Sequence, residues 1–214
     1  VAAGVVPIAH ANDGGGSIRI PAACNGIVGL KPSRGRLPLD RWLLQMPVKI
    51  VTNGILTRSV RDTAAIYHQA ERISRNRRLP AIGAVSGPST QRLRIAVVTQ
   101  SVHRDSSPEV RDLTLQTAEL LEGLGHRVSP LDHNPVPRSF VEDFVLYWAF
   151  LALTIVRTGQ RTLGQKIDRD RLDNLTLGLD RHASRGLHRL PLAILRLNRL
   201  RRVTERFYGD YDVL

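Results

Sequence analysis

A run of three glycines that ends in a serine lies near the start of the chain and carries the residues best suited to chemistry. Because glycine has no Cβ, the backbone N–H groups of residues 14–16 can converge beside the Ser17 hydroxyl and bind an anion. The Asp13 carboxylate before the glycines and the Arg19 guanidinium after the serine can pair and fix the loop. The pattern predicts a serine in an oxyanion-type cradle, with Asp13 and Arg19 in a loop-shaping role.

Three common glycine-loop patterns fail on this run. No lysine follows the glycines as a Walker phosphate loop requires, and the dinucleotide-binding pattern needs a glycine where Arg19 stands. The α/β-hydrolase elbow matches Gly15 and Ser17 but again needs a glycine in place of Arg19. Two interpretations of Ser17 therefore stay open: a nucleophile beside an oxyanion cradle, and a loop serine that caps a helix beginning near Ile18.

Two strands and a helix are predicted around this loop. Residues 5–11 are mostly apolar and predict a strand that leads into the glycines, while residues 48–56 predict a second strand with a bulge or turn at Asn53-Gly54. Ser59 is the predicted N-cap of a helix that runs to about residue 72. Glycine, proline and asparagine collect in residues 74–92, which predicts a surface loop.

The middle of the chain predicts a β-α-β unit. Residues 93–98 and 127–131 are strand candidates, and the helix between them begins at Ser107-Pro108 and ends before Gly125. Right-handed crossover makes two such strands parallel, which places the chain in the α/β class.

Only helices are predicted after residue 137. One helix carries an aromatic cluster over residues 140–150, for which core packing is favoured and an acyl pocket stays open. Its apolar run, residues 144–156, covers 13 positions. That is short of the roughly 20 residues that a membrane-spanning helix needs, so no membrane span is expected.

The composition is that of a globular chain with a strong positive charge. It has 214 residues, 42% of them hydrophobic, and 31 basic residues against 19 acidic ones give a net charge of +12. Such a charge ordinarily indicates a nucleic-acid partner. However, residues 157–206, which hold much of the charge, contain no aromatic side chain to stack on bases. A solvated helix face is therefore the favoured interpretation, and nucleic acid is not expected as a partner.

Cysteine and histidine usage points away from metals and disulfides. The one cysteine, Cys24, excludes an intramolecular disulfide and favours a reducing compartment, so a cytoplasmic location is expected. A small buried residue is the favoured interpretation of Cys24. The histidines show no metal-ligand spacing, so neither a metal nor a cofactor is expected.

The blocks at residues 12–23, 26–36 and 53–62 together resemble the amidase signature family of serine hydrolases. The resemblance is strong to residue 62 and fair to about residue 132. It implies a partial α/β fold with a mixed β-sheet core flanked by helices. Residues 1–214 would then be the central and C-terminal part of one amidase domain, truncated at both ends.

The resemblance also implies roles for the loop. Ser17 corresponds to the nucleophile of an acyl-enzyme mechanism, and the N–H groups of Gly14, Gly15 and Gly16, with that of Ser17, to the oxyanion hole. The family's cis serine and catalytic lysine fall upstream of this chain, and Lys31 does not match that lysine.

The implied substrate is a small-molecule amide. The triple glycine and residues 31–36 are most similar to hydrolases of cyclic amides of the nylon-oligomer type. A homo-oligomer is compatible with this interpretation. The alternative is a non-catalytic amidase remnant or interaction module.

Overall fold

The computed structural model describes residues 1–162, 164 and 167–214. Its internal contacts divide the chain into two compact units, Val1–Thr90 and Gln91–Leu214. The glycine-rich loop belongs to the first unit, and the predicted β-α-β unit and the long helices belong to the second.

The first unit is built on a three-stranded antiparallel sheet. Its strands are β1 (Ile8–Asp13), β2 (Val28–Leu30) and β3 (Thr52–Thr57), and β3 lies in the centre. Asn53 and Gly54 pair in regular register with the β1 residues Asn12 and Ala11, so the predicted bulge or turn at this dipeptide is wrong. Strand β2 has only three residues, too few for a period-2 pattern, and the sequence did not predict it.

Three helices accompany this sheet: α1 (Arg19–Cys24), α2 (Arg41–Leu44) and α3 (Val60–Ile73). The Ser59 side chain accepts a hydrogen bond from the Asp62 N–H at 3.0 Å, which confirms the predicted N-cap of α3. Helix α1 is anchored by a core cluster of Ile18, Ala22 and Leu56. The expectation that Cys24 is buried is wrong, because only Ala22 of this one-and-a-half-turn helix is buried and Cys24 is exposed.

The segment 74–92 contains no helix or strand and is mostly exposed, yet it is tied to α3. The Glu71 carboxylate accepts hydrogen bonds from the N–H groups of Ile82 at 2.8 Å and Gly83 at 3.2 Å. Arg36 pairs with Glu71 at 3.1 Å and also donates to the Pro80 carbonyl at 2.7 Å. Glu71 therefore fixes the middle of this loop.

The second unit contains the predicted β-α-β arrangement. Strands β4 (Arg94–Val97) and β5 (Arg127–Pro130) are parallel, and α4 (Pro108–Gly123) connects them, which confirms the α/β assignment. Near the end of the chain Val213 forms a parallel bridge with Ile95.

Three helices form the rest of the second unit: α5 (Ser139–Thr162), α6 (Asn174–Gly186) and α7 (Leu190–Asp210). Helix α5 packs on both others, and Ala149, Leu153 and Ala183 form the core of its contact with α6. Helix α5 is long and apolar enough to cross a membrane by length and composition alone. The core helix of a soluble protein can have the same length and composition. The absence of a membrane span therefore stays a prediction.

Several arginines of the second unit pair with carboxylates within the same unit. Asp180, which is buried, accepts from Arg169 at 2.8 Å and lies 3.5 Å from Arg157. Four further arginines lie within 4 Å of a carboxylate: Arg171, Arg189, Arg196 and Arg201. These pairs give part of the positive charge partners within the unit, and the absence of a nucleic-acid partner stays a prediction.

Candidate active site

Ser17 lies on the turn that joins β1 to α1. The turn is held at both ends, because Asp13 closes β1 and is completely buried, and Ile18 is completely buried in the core cluster. Between these anchors Ser17 is exposed. The N-cap residue of α1 is Ile18 rather than Ser17, so the helix-capping interpretation of Ser17 is wrong.

The Asp13 carboxylate accepts hydrogen bonds from several backbone N–H groups of the turn. Its Oδ1 accepts from the Gly16 N–H at 2.8 Å, and its Oδ2 accepts from the Ile18 N–H at 3.2 Å and the Arg19 N–H at 3.4 Å. The Arg19 guanidinium adds a bidentate pair, with Nε at 2.9 Å from Oδ2 and the terminal nitrogen at 3.0 Å from Oδ1. One side chain therefore fixes three peptide groups of the turn, one before Ser17 and two after it.

These contacts keep Asp13 ionised. Burial by itself raises the pKa of the Asp13 carboxyl, but the hydrogen bonds from Arg19, Ile18 and Gly16 and the charge of Lys31 outweigh it and hold the pKa well below its usual range. The hydrogen bond to Asp13 raises the pKa of Arg19. The pair therefore stays charged at any pH at which a hydrolase of this kind would work.

The conformation of Gly16 explains why glycine stands before the serine. Its φ is +130°, and a Cβ at this position would lie 2.5 Å from the Cδ1 of Ile20. An L side chain at residue 16 would therefore be strained in its backbone and would have to displace the Ile20 side chain. The Gly16 N–H donates to Asp13. Among the described residues, the N–H groups of Gly15 and Ser17 donate neither to a side chain nor to a backbone carbonyl of a loop or turn.

Lys31 is a member of this cluster that the sequence did not reveal. Its Nζ lies 2.6 Å from the Asp13 carbonyl, 3.3 Å from Asp13 Oδ1 and 2.9 Å from the Ile50 carbonyl. Burial lowers the pKa of Lys31, against the opposing charge of Asp13. The available signal was its residue type, since Lys31 is one of only three lysines in a chain whose other basic residues are arginine.

Within the described part of the chain, no group of three His, Cys, Asp or Glu side chains could hold a metal ion. The turn itself offers a serine hydroxyl, backbone N–H groups and the charges of the buried Asp13 and the partly buried Lys31.

The turn thus presents an exposed serine hydroxyl beside glycine backbone N–H groups, braced by a buried carboxylate on an α/β scaffold. The Amidase family model matches residues 1–214, and the chain belongs to this family. This confirms the family that the sequence motifs indicated.

Several curated relatives are mycobacterial proteins. The chain is 69% identical over 214 residues to "Putative amidase AmiC" of Mycobacterium tuberculosis (strain ATCC 25618 / H37Rv), covering 100% of this chain and 45% of that protein. The corresponding protein of Mycobacterium leprae is 66% identical over 100% of this chain and 46% of its own length. The chain thus spans less than half the length of these relatives.

Solved structures give the same fold. A 6-aminohexanoate cyclic dimer hydrolase complexed with substrate superposes with a TM-score of 0.78 and 25% identity, over 99% of this chain and 46% of that one. A bacterial aryl acylamidase of the amidase signature enzymes superposes with a TM-score of 0.78 at 22% identity, over 99% of this chain and 45% of that one. The predicted partial amidase-signature fold is confirmed.

Proposed function

We propose that the full-length protein hydrolyses the carbon–nitrogen bond of a small-molecule amide through an acyl-enzyme on Ser17. The observation that carries the proposal is the exposed Ser17 on a turn whose neighbouring peptides are fixed by the buried Asp13 carboxylate. A nucleophile held in this way is oriented before the substrate arrives, which lowers the entropic part of the barrier.

The reaction has two steps in this proposal. The Ser17 Oγ attacks the amide carbonyl carbon, the carbonyl oxygen becomes an oxyanion, and the C–N bond breaks as the amine leaves with a proton. Water then attacks the resulting ester and releases the carboxylic acid and Ser17. Backbone N–H groups of the turn stabilise the oxyanion in each step, an interaction worth about 3 to 4 kcal/mol for a single donor.

Gly16 is the weakest of the predicted oxyanion donors, because its N–H is directed to the Asp13 carboxylate. We therefore expect the oxyanion to be bound by the N–H groups of Gly14, Gly15 and Ser17. Gly16 would instead supply the left-handed backbone conformation that the turn requires.

The base that accepts the Ser17 proton comes from another part of the full-length protein in this proposal. Lys31 is unsuited to the task, because its ammonium already donates toward oxygens of Asp13 and Ile50. A serine hydroxyl is a poor nucleophile without a positioned base, so the isolated 214-residue chain should show little turnover. The upstream lysine and cis serine implied by the family resemblance are the expected proton acceptors.

Covalent labelling of the full-length protein tests the nucleophile. A serine-reactive fluorophosphonate should add one adduct that maps to Ser17, and Ser17→Ala should abolish it. Ser33→Ala is the matched control, since Ser33 is also exposed in the first unit. Unchanged labelling of Ser17→Ala would refute the assignment and favour the non-catalytic alternative.

The substrate class is tested separately. Two compounds form the test panel. One is the 6-aminohexanoate cyclic dimer, after the first structural relative, and the other is an acylated aniline, after the aryl acylamidase. We propose a cyclic or linear small amide, so release of a free amine from either compound supports the class. A cytoplasmic location is part of the same proposal and can be checked by cell fractionation.

A further inference from the structure

Lys31 connects three stretches of the first unit at one point. It follows the last residue of β2, and its ammonium donates to the carbonyl at the end of β1 and to the Ile50 carbonyl just before β3. Its side chain is only 20% exposed. The sequence separations are 18 residues to Asp13 and 19 residues to Ile50, so the contact is tertiary rather than a local turn.

The hydrogen bond to the Asp13 carbonyl has a consequence for the next residue. No peptide bond in the described chain is cis, and in a planar trans peptide the C=O and the following N–H point in opposite directions. By holding the Asp13 carbonyl at 2.6 Å, Lys31 therefore also fixes the direction of the Gly14 N–H. Rotation of this peptide would break the shortest hydrogen bond that Lys31 makes.

We propose that Lys31 is a positioning residue of the hydrolytic site, which fixes the Asp13–Gly14 peptide so that the Gly14 N–H is directed at the substrate's oxyanion. The inference rests on the proposed function, because it concerns an oxyanion hole. Lys31 acts through the backbone and does not touch the reacting atoms.

The second contact of Lys31 fixes the residues that pack against the Asp13–Gly14 peptide. Its bond to the Ile50 carbonyl holds the segment before β3 against the turn. A Cβ on Gly14 would lie 3.3 Å from the Val51 Cγ2 and 3.8 Å from the Ile50 Cδ1, so these side chains pack directly on Gly14. Lys31 thus fixes the peptide by a hydrogen bond and also fixes the packing around it.

A compact ammonium suits this position better than a guanidinium. Its three N–H donors radiate from one atom, and three oxygens surround that atom: the Asp13 carbonyl, Asp13 Oδ1 and the Ile50 carbonyl. A planar guanidinium spreads its donors over a wider fork and cannot reproduce this convergence. Arginine should therefore substitute only in part, although arginine is the commoner basic residue of the chain.

The test is the fluorophosphonate reaction of the full-length protein, analysed by saturation kinetics so that reversible binding and the bond-forming rate are separated. Lys31→Met should lower the bond-forming rate about 10- to 100-fold, less than the complete loss of an oxyanion donor, and leave reversible binding within about twofold. Lys31→Arg should recover part of the rate. Lys49→Met is the matched control, because Lys49 is exposed in the same unit and should label at the wild-type rate.

A boronic acid that forms a tetrahedral adduct on the serine gives an independent readout. Its affinity should fall in Lys31→Met by the same factor as the bond-forming rate, because both depend on the oxyanion donors. A purely structural role would lower the melting temperature without a proportional loss of the two quantities.

The outcomes separate this inference from the proposed function. A wild-type bond-forming rate in a folded Lys31→Met overturns the inference, while loss of labelling in Ser17→Ala would keep the proposed function intact. No labelling of the unmodified protein refutes both. If Lys31→Met does not fold, Lys31→Arg decides: a slower reaction with a wild-type melting temperature supports the inference, and a wild-type rate overturns it.

Discussion

Replacing the Asp13 carboxylate by an amide, Asp13→Asn, is the sharpest test of how the turn is held. The substitution keeps the size of the side chain and one acceptor oxygen. If that oxygen takes the place of Oδ1, the new amide nitrogen faces the donors that now bind Oδ2, which include the N–H groups of Ile18 and Arg19. The amide N–H groups then face three donors, the N–H groups of Ile18 and Arg19 and the Arg19 Nε–H. The Ile18 N–H, on a completely buried residue, has no acceptor.

The size of the effect follows from these contacts. A buried N–H that loses its acceptor costs about 1 to 3 kcal/mol. Breaking a buried ion pair costs about 3 to 5 kcal/mol, but the low end applies here because the Arg19 side chain is 55% exposed and can be hydrated. Lys31 also keeps its two carbonyl acceptors. The two effects overlap, so we expect Asp13→Asn to lower the free energy of unfolding by about 3 kcal/mol.

Equilibrium urea unfolding of the full-length protein measures this loss. Asp40→Asn is the matched control, because Asp40 is exposed and its side chain caps no helix. The control should unfold with the wild-type midpoint, and Asp13→Asn should also label more slowly with the fluorophosphonate. A folded Asp13→Asn with wild-type stability and wild-type labelling would refute the view that this carboxylate holds the turn.

The same pair of proteins gives a pH test with a defined sign. The pKa of Asp13 is lowered in the folded protein, so the unfolded chain takes up the proton first as the pH falls. The stability that ionised Asp13 contributes is complete above the unfolded pKa of about 3.9 and is lost as the pH falls through the folded pKa. The difference between wild type and Asp13→Asn should be constant from pH 8 to about pH 5 and shrink below about pH 4. A difference that grows on acidification would contradict the reasoning.

Two further substitutions test the backbone of the first unit. Gly16→Ala should lower the free energy of unfolding by about 2 to 4 kcal/mol, because the residue has a φ of +130° and its new Cβ would meet Ile20. Gly87→Ala, with open space around it, should have almost no effect in the same urea experiment. Glu71→Gln should raise the rate of tryptic cleavage within residues 74–92 by about two- to fivefold, because it weakens the acceptor for two N–H groups of that loop. An unchanged cleavage rate would show that the loop is held by other contacts.

The parts of the structure that sequence could predict are those set by local signals. Ser59 and Ser107 each accept a hydrogen bond from an N–H three residues ahead, a spacing readable from the sequence. The pairing of Asp13 with Arg19 is also local, over six residues. Lys31 could not be placed in this way, because its acceptors depend on how β2, β1 and the start of β3 are brought together.

The apolar pattern of helices was less informative than their ends. Leu113 and Leu120 of α4 recur at helical spacing, but they are 55% and 65% exposed, so the periodicity marks a face that nothing covers within the described residues. Helix α5 continues beyond its apolar run to Thr162, because helical hydrogen bonding does not require apolar side chains once the helix is nucleated.

The N–H groups of the turn fall into two sets, and this division accounts for both its rigidity and its chemistry. The N–H groups of Gly16, Ile18 and Arg19 converge on one carboxylate. A neutral acceptor could not satisfy them together with a guanidinium, whereas a buried carboxylate offers about four lone-pair sites and a compensating charge. The remaining N–H groups of Gly14, Gly15 and Ser17 are left to a ligand, beside the hydroxyl that we propose as nucleophile. Because the bound set cannot rotate without breaking several charge-assisted hydrogen bonds, the free set is held in place before a substrate carbonyl arrives, which is the condition for electrostatic stabilisation of an oxyanion.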